Sequence, residues 1–484
     1  MLDVRPVLFV NGFLLLTLAA AMALPAAVDA VEGDPDWLVF LAGSAATAFV
    51  AGMLALGSRP AGRLRLEVRS AFLLSVSGLA LGSVCAALPF VFSGLGLSFT
   101  DAVFEATSGL TTTGATVIAG LDHAPRGILL WRALLNWLGG FGFIALAVAI
   151  LPSLRIGGMQ LFRMESSDRT HKIGPRIRQV AGGMGLGYAG LTAVSAAAFW
   201  LAGMAPFDAV CHAMAALSTG GFSTSDASLA HWGAAVQWVA VASMLAGAAP
   251  LPLLATAGAG AGGGASTRQD SQLPVYLTLV ALLAVLVALW RWAVSDWSLA
   301  ESLRYSAFSV ASVATTTGFV TTDWSAWGGF AQIVFFLLAF VGGCTGSTAG
   351  GIKIFRWQLL VGLAKVHVRR LLHPHGVFML AFNRRPVSGQ VVDSVLAFVV
   401  LYIVAFVIHA LLLTLTGLDL VTALSGSAAA LGNLGHGLGN AVGPAVSWKP
   451  LPAAAKWVLA FEMLVGRLEV FTVLVLFTPG FWKE

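Results

Sequence analysis

The chain has 484 residues, 58% of them hydrophobic and 10% charged, with a mean hydropathy of +0.87. A soluble domain carries about 25% charged residues, so a water-soluble fold of this size is excluded and the chain reads as an integral membrane protein. Its net charge of +5 sits in short clusters beside apolar runs, a pattern of membrane orientation and not of nucleic-acid binding.

The first apolar run, Pro6 to Val28, is too long for the core of a signal peptide and has no small-residue cleavage site before a polar domain, so it reads as a retained span. A second span follows the loop VEGDPDW, which carries Glu32, Asp34 and Asp36 and no base. Basic residues then concentrate in three regions. The first holds Arg59, Arg63, Arg65 and Arg69; the second holds Arg155, Arg163, Arg169, Lys172, Arg176 and Arg178; the third runs from Lys353 to Arg385. The positive-inside rule makes these regions and both termini cytoplasmic and the acidic loop external. The Gly/Ala/Ser stretch AGAGAGGGASTRQDS reads as a cytoplasmic linker. Cys85, Cys211 and Cys344 are scattered on apolar segments and imply neither a disulfide framework nor a zinc site.

Beyond the first two spans the chain repeats itself. DAVFEATSGLTTTGAT from Asp101 aligns without a gap to DAVCHAMAALSTGGFS from Asp208. YSAFSVASVATTTGFV from Tyr305 and TALSGSAAALGNLGHG from Thr422 follow the same register. Gly114, Gly221, Gly318 and Gly435 fall in one column, and this register selects Gly221 over Gly220 in the second copy. A span-length run precedes each copy: Ala71 to Phe92, Val180 to Leu201, Val275 to Trp292 and Val391 to Leu415. Another long apolar helix follows each. Trp131 to Gly140, Trp238 to Gly247 and Trp457 to Gly466 share a spacing; the third copy keeps Gly343 without the tryptophan. The expected fold is therefore an all-α integral membrane protein of four span–re-entrant half-helix–span repeats around a pseudo-fourfold pore, preceded by two extra transmembrane helices. That makes about ten crossings. The expected divisions are 1–66 for the leading helices, 67–160, 161–262, 263–375 and 376–484 for repeats one to four, with an intramembrane loop at 341–353.

The segment before each glycine has about a dozen residues, too short to cross about 30 Å of hydrocarbon as a helix. It must enter and return. The turn after it carries backbone outside regular helix, tolerated at membrane depth only when buried in protein or lining a water-filled cavity. Alone, TTTGAT reads first as a buried kink held by threonine hydroxyls. Four copies in register read as four irregular segments meeting at a centre. Rings of backbone carbonyls replace the water shell of a monovalent cation. Glycine permits the backbone angles that turn carbonyls inward, and threonine adds a hydroxyl as ligand or brace. The turns contain no carboxylate ring for divalent cations and no Lys/Arg ring for anions.

These turns resemble the four filter segments of the Trk/Ktr/HKT potassium transporter superfamily. NWLGGFGFIALAVAILP, FRMES…PRIRQ, GGCTGSTAGGIKIFR and GRLEVFT resemble the bacterial TrkH branch, from about Ala71 to the carboxyl terminus; the two leading spans also suit it. The resemblance implies a potassium-binding filter of Thr112, Thr113, Gly114, Thr219, Gly220, Gly221, Thr316, Thr317, Gly318, Asn433, Leu434 and Gly435. In this family a glycine in all four turns goes with potassium selectivity, whereas a serine in the first is linked to sodium transport in some plant members. His436 stands where relatives typically carry proline. Two readings of it are open, a group titrating near neutral pH and a neutral, hydrogen-bonded loop residue.

Val341 to Lys353, VGGCTGSTAGGIK, interrupts the last span of the third repeat with glycines and hydroxyls. It reads either as a kink packed by small residues or, as the resemblance implies, as a flexible gating loop below the filter that includes Gly343, Gly346, Gly350, Gly351 and Lys353. Ile352 separates Gly351 from Lys353, so the stretch is not a phosphate loop. Arg467 lies in an apolar span, where a charge is a functional candidate. It either pairs with Glu462 or Glu469 or, as the family implies, faces the pore below the filter and opposes cation passage. Lys353 either adds to that charge or snorkels to the cytoplasmic surface. Asp101 and Glu105 are one turn apart and either orient the filter or draw cations to the mouth, with helix capping open for Asp101. His212 reads as a packed core residue.

The expected activity is potassium uptake across a bacterial inner membrane; the alternative is a sodium- or proton-coupled symporter with alternating access. Repeats of two full spans plus a re-entrant segment keep one orientation, unlike inverted carrier repeats. The spans hold no metal-ligand cluster, nucleophile elbow or paired catalytic carboxylates, so no enzyme is expected. No cofactor is expected in this chain. The resemblance implies K⁺ as transported ion, a homodimer, and a separate cytoplasmic TrkA-type ring carrying the regulatory nucleotide.

Overall fold

The computed structural model describes residues 3–59, 67–149, 173–251, 270–383 and 385–483. Arg63, Arg65, Arg155, Arg163, Arg169, Lys172, the FRMES motif and most of the Gly/Ala/Ser linker lie outside them. Among the described residues, seven helical segments are long and apolar enough to cross a membrane. Among the described residues the regular structure is helical apart from a short antiparallel pair, Ala381–Phe382 with Arg385–Pro386, in the third basic region, and an isolated bridge between Val341 and Ile352.

The leading helices are α1 (Arg5–Ala21) with α2 (Ala23–Glu32), and α3 (Trp37–Gly57). Small residues bring their backbones together, as lipid-embedded helices require: a Cβ on Gly12 would come within 2.8 Å of the Ala51 carbonyl oxygen. The pair is tied to the first repeat. Asn11 donates to Ser77 Oγ at 2.8 Å, and Asp29 accepts the Gly127 N–H at the start of a repeat-one span.

Each repeat then follows one plan. Repeat one is α4 (Val68–Ala86) with α5 (Leu88–Phe92), the short α6 (Phe99–Leu110), and α7 (Arg126–Ala149). Repeat two is α8 (Ile173–Leu201), α9 (Pro206–Leu217) and α10 (Ala234–Ala248). Repeat three is α11 (Gln272–Val294), α12 (Leu299–Ala314), and a second span broken into α13 (Gly329–Leu338) and α14 (Ile354–Leu372). Repeat four is α15 (Gly389–Leu415), α16 (Leu420–Gly432), the single turn α17 (Gly439–Val442), α18 (Ala453–Arg467), then α19 (Val470–Leu474) and α20 (Pro479–Lys483). The closing spans of repeats two to four are shorter than a full crossing or broken. The fourth breaks at Glu469, where φ is +61°.

The short helices α6, α9, α12 and α16 have 12, 12, 16 and 13 residues, roughly 18–24 Å at 1.5 Å per residue. Three start on side-chain caps. Ser98 accepts from the Asp101 N–H, Ser298 forms a reciprocal capping box with Glu301, and Asp419 accepts from the Thr422 N–H. The Thr422 bonds hold the exposed Asp419 carboxyl below the usual carboxylate range. The second begins instead with Pro206 at its first turn, where no N–H is needed.

Glycines on the closing spans let these helix ends sit deep. A Cβ on Gly139, Gly247 or Gly466 would fall on the carbonyl oxygen of Leu110, Leu217 or Leu431, the same position in three repeats. In repeat one the matching residue is thus Gly139, one before the Gly140 of the tryptophan spacing; Gly140 packs on Ser218 and the Tyr188 hydroxyl instead. Gly139→Ala and Gly466→Ala should each destabilise the fold by about 1–3 kcal/mol, seen as a lower Tm in detergent. Gly52→Ala, with open space around its α3 position, should be neutral or stabilising by up to about 1 kcal/mol.

Candidate functional site: a four-segment ring and the loop beneath it

The ends of α6, α9, α12 and α16 converge and turn in the same way. Two residues before each column glycine the chain enters the left-handed region, at Thr112 (φ +53°), Thr219 (+52°), Thr316 (+56°) and Asn433 (+54°). The glycines follow at φ +84° for Gly114, +72° for Gly221, +82° for Gly318 and +89° for Gly435. The residue between them donates its N–H to a carbonyl five back, in all four copies: Thr113 to Ser108 at 2.8 Å, Gly220 to Ala215 at 2.8 Å, Thr317 to Ser312 at 2.9 Å and Leu434 to Ala429 at 2.9 Å. These bonds close each helix end and peel the following backbone away from it.

The four turns touch in a cycle. A Cβ on Gly114 would fall on the Gly220 carbonyl oxygen, one on Gly221 on that of Thr317, one on Gly318 on that of Leu434, and one on Gly435 on that of Thr113. Each column glycine thus abuts the carbonyl one residue before the column glycine of the next repeat, and the fourth closes on the first. All twelve residues expected in the filter lie in this ring. Asn433 Nδ2 donates to Thr113 Oγ1 and to the Met463 carbonyl, both at 3.0 Å, sealing the joint between repeats four and one. Thr113 and Thr317 hydroxyls pair with Thr111 and Thr315 at 2.7 Å. A cavity of about 260 Å³ opens onto the ring and is lined by all four column glycines. His436 also lines it, buried, with its ring edge-on to Trp324 at 5.6 Å. Neither ring nitrogen has a hydrogen-bond partner in the protein, which departs from the hydrogen-bonded reading of this residue.

On the opposite side of the ring lies the interruption of the third repeat. Between α13 and α14 the chain folds on itself: Gly342 N–H donates to the Ile352 carbonyl at 2.9 Å and Ile352 N–H to that of Phe340 at 3.1 Å. The loop is docked on three of the four turns. Thr348 Oγ1 donates to the carbonyls of Leu217 and Gly247 at 2.9 Å and accepts from Thr219 Oγ1 at 3.2 Å. Gly350 N–H donates to Thr316 Oγ1 at 2.7 Å, and a Cβ on Gly350 would strike the Gly432 carbonyl. Gly346 accepts from Leu251 N–H, Gly343 from Ile354 N–H, and Gly351 takes φ +63° against Gly342.

Arg467 ends α18 beneath the ring. It pairs with neither carboxylate weighed for it: Glu469 binds Arg356 at 2.7 Å, and Glu462 binds Ser427 Oγ at 2.5 Å. Arg467 Nη1 donates to the Thr348 carbonyl at 2.6 Å, and its guanidinium lies 4.2 Å from the centre of the Phe143 ring. Lys353 does not snorkel. It is buried, donates to the Ala349 carbonyl and faces the same Phe143 ring at 5.3 Å.

Asp101 and Glu105 part company. Asp101 serves the cap with Ser98 and pairs with Lys456 at 2.6 Å. Glu105 is fully buried and pairs with Arg132 at 2.8 Å. His212 is core, with Nε2 at 2.9 Å from Ser223 Oγ. Reasoning from sequence passed over Arg132, Asn136 and Thr348. Asn136 Nδ2 donates to the Gly109 carbonyl at 3.0 Å and its Oδ1 accepts from Phe222 N–H at 3.2 Å. An arginine and an asparagine four apart inside WRALLNWLGG carry a signal, because polar groups at membrane depth are costly and rarely idle.

The model of the TrkH family, described as cation transport protein, matches residues 39–265 and 271–483. The chain belongs to the TrkH family. Its relatives include the Trk system potassium uptake protein TrkI of Halomonas elongata, 43% identical over 99% of this chain and 97% of that one. The Trk system potassium uptake protein TrkH of Escherichia coli K12 is 38% identical over 99% of both. The crystal structure of the potassium transporter TrkH from Vibrio parahaemolyticus superposes with a TM-score of 0.92, at 36% identity and full coverage of both chains. The TrkH fold thus accounts for the all-α membrane architecture from end to end.

Gly435→Ala should reduce ion flux through reconstituted protein by about tenfold or more, since it combines left-handed strain with a collision on the Thr113 carbonyl. Gly439→Ala carries similar strain at φ +84° but meets open space, and should cost far less flux. Equal losses from both would mean that the ring contact is unimportant.

Proposed function

We propose that the chain takes up potassium through a channel-like pore whose filter is the four-turn ring, gated by the loop 341–353 and Arg467. The closed cycle of glycine–carbonyl contacts carries the reading. Four turns of one backbone geometry present carbonyls and threonine hydroxyls around one axis, the chemistry that substitutes for the water of a monovalent cation. The helix ends aim their partial negative charge at the same centre. The named relatives are potassium uptake proteins. The loop occupies the path directly beneath, with Arg467 bonded to its Thr348 carbonyl, so moving the loop also moves a positive charge relative to the ions. Repeats of one orientation favour this pore over a symporter rocking about inverted repeats.

The same reading makes the protein a multi-pass component of the bacterial inner membrane with both termini in the cytoplasm, working as a homodimer on a TrkA-type nucleotide-binding ring. The basic run ending at Arg385 supplies positive charge on that face. On this reading the divisions 1–66, 67–160, 161–262, 263–375 and 376–484 are proposed as two leading helices and four pore quarters.

Purified protein in liposomes should pass K⁺ in preference to Na⁺. Gly114→Ser, at φ +84° and against the Gly220 carbonyl, should remove most of that preference; an unchanged uptake and K⁺/Na⁺ ratio in this variant sinks the filter assignment. Arg467→Gln removes the positive charge and its anchor on the loop, and should raise K⁺ flux several-fold in the absence of any partner subunit.

A further inference from the structure

The ring is braced unequally. Behind repeats one and two lies a buried ionic network; behind repeats three and four the corresponding positions are neutral. Arg132, on α7, is 1% exposed, and its partner Glu105, on α6, is fully buried. Arg132 Nε donates to Glu105 Oε1 at 2.8 Å, Nη1 to the Ser223 carbonyl at 2.6 Å and Nη2 to Thr116 Oγ1 at 3.2 Å. Glu105 in turn accepts from Thr116 Oγ1 at 2.9 Å and from Val117 N–H at 2.8 Å. The guanidinium stacks 4.2 Å from the centre of the Phe222 ring.

Thr116 and Ser223 occupy the same column of the repeat, two residues past Gly114 and Gly221. One guanidinium therefore clamps two adjacent filter strands at one level. In repeat three this column holds Val320, whose carbonyl accepts from Leu229 N–H at 2.9 Å. In repeat four it holds Gly437, which is bonded only to nearby backbone. The column of Glu105 itself reads His212, Ser309 and Gly426 in the other repeats, so among the described residues the ion pair occurs once.

We propose that Arg132 is a positioning residue for ion discrimination, acting through Glu105, Thr116 and the Ser223 carbonyl to keep the first two filter strands from closing inward. A ring that rejects Na⁺ must not contract onto the smaller ion. Charge-assisted bonds among buried groups, here with Arg132 and Thr116 at the wall of the cavity on the ring, resist that contraction better than neutral ones. Buried ion pairs contribute little net stability against an apolar replacement, whereas they fix one geometry, which is what a filter needs. This inference rests on reading the ring as a potassium filter.

The test is the K⁺/Na⁺ permeability ratio of full-length protein in liposomes, with Rb⁺ as a third ion. Arg132→Gln should lower the ratio about tenfold, the scale of a lost bond to a charged group, mainly through raised Na⁺ flux. Arg132→Lys keeps the charge beside Glu105 without the three-way reach and should fall between the two. Thr116→Val keeps the ion pair, removes the hydroxyl that joins both partners, and should lower the ratio by a smaller factor. It carries the test, together with Arg132→Lys, if Arg132→Gln does not fold. A purely structural role predicts lower yield or Tm and proportional loss of all three fluxes at unchanged ratio; that outcome overturns the proposal. Wild-type protein with no preference for K⁺ overturns instead the filter reading on which it stands.

Discussion

Backbone that leaves a helix inside a membrane must find partners within the protein, because lipid offers none. Everything distinctive in this molecule follows from meeting that demand four times at one axis. Each half-helix ends in a left-handed turn that consumes its own last donors, and the carbonyls that remain are turned toward the neighbouring repeat. Glycine is required in the column because the next repeat's carbonyl occupies the space where a side chain would begin. The closing spans obey the same demand from behind, using Gly139, Gly247 and Gly466 to lie against the helix-end carbonyls. The leading helices and the long first spans then have a simpler task, to surround this assembly with apolar surface.

The interruption of the third repeat is the exception that makes a two-sided structure. A continuous helix there would remove the loop partners of the Thr219 and Thr316 hydroxyls and of the Leu217 carbonyl. Instead a loop of small and hydroxylated residues satisfies them. Its bonds to the surrounding helices are mostly between neutral groups, with Arg467 the charged exception. Arg467 and Lys353 are packed against Phe143 and bonded to loop carbonyls rather than to carboxylates.

The register of the four turns was legible in the sequence because each is a local event. A short helix, a residue tolerant of positive φ and a glycine recur at fixed offsets, and choosing Gly221 needed only alignment. The half-helices were legible from length against hydrocarbon thickness. The cycle of contacts was not, since it depends on which repeat lies beside which. Neither was the Glu105–Arg132 pair: the two residues are 27 apart, and the Ser223 carbonyl that Arg132 also binds belongs to the next repeat. Reading Arg467 as a partner of Glu462 or Glu469 followed from proximity along one helix. The structure ends that helix at Arg467 and sends the arginine toward Thr348, with Glu469 drawn to Arg356 on α14.

The joint between Asn433 and Thr113 spans 320 positions of the chain. A ribosome delivers the first quarter of the ring long before the last. Until α16 is inserted, three turns stand in an open arc, with the Thr113 carbonyl facing a gap where Gly435 belongs. The ring is therefore the final thing the chain completes, and a polypeptide lacking its last hundred or so residues has membrane spans but only an open arc of turns.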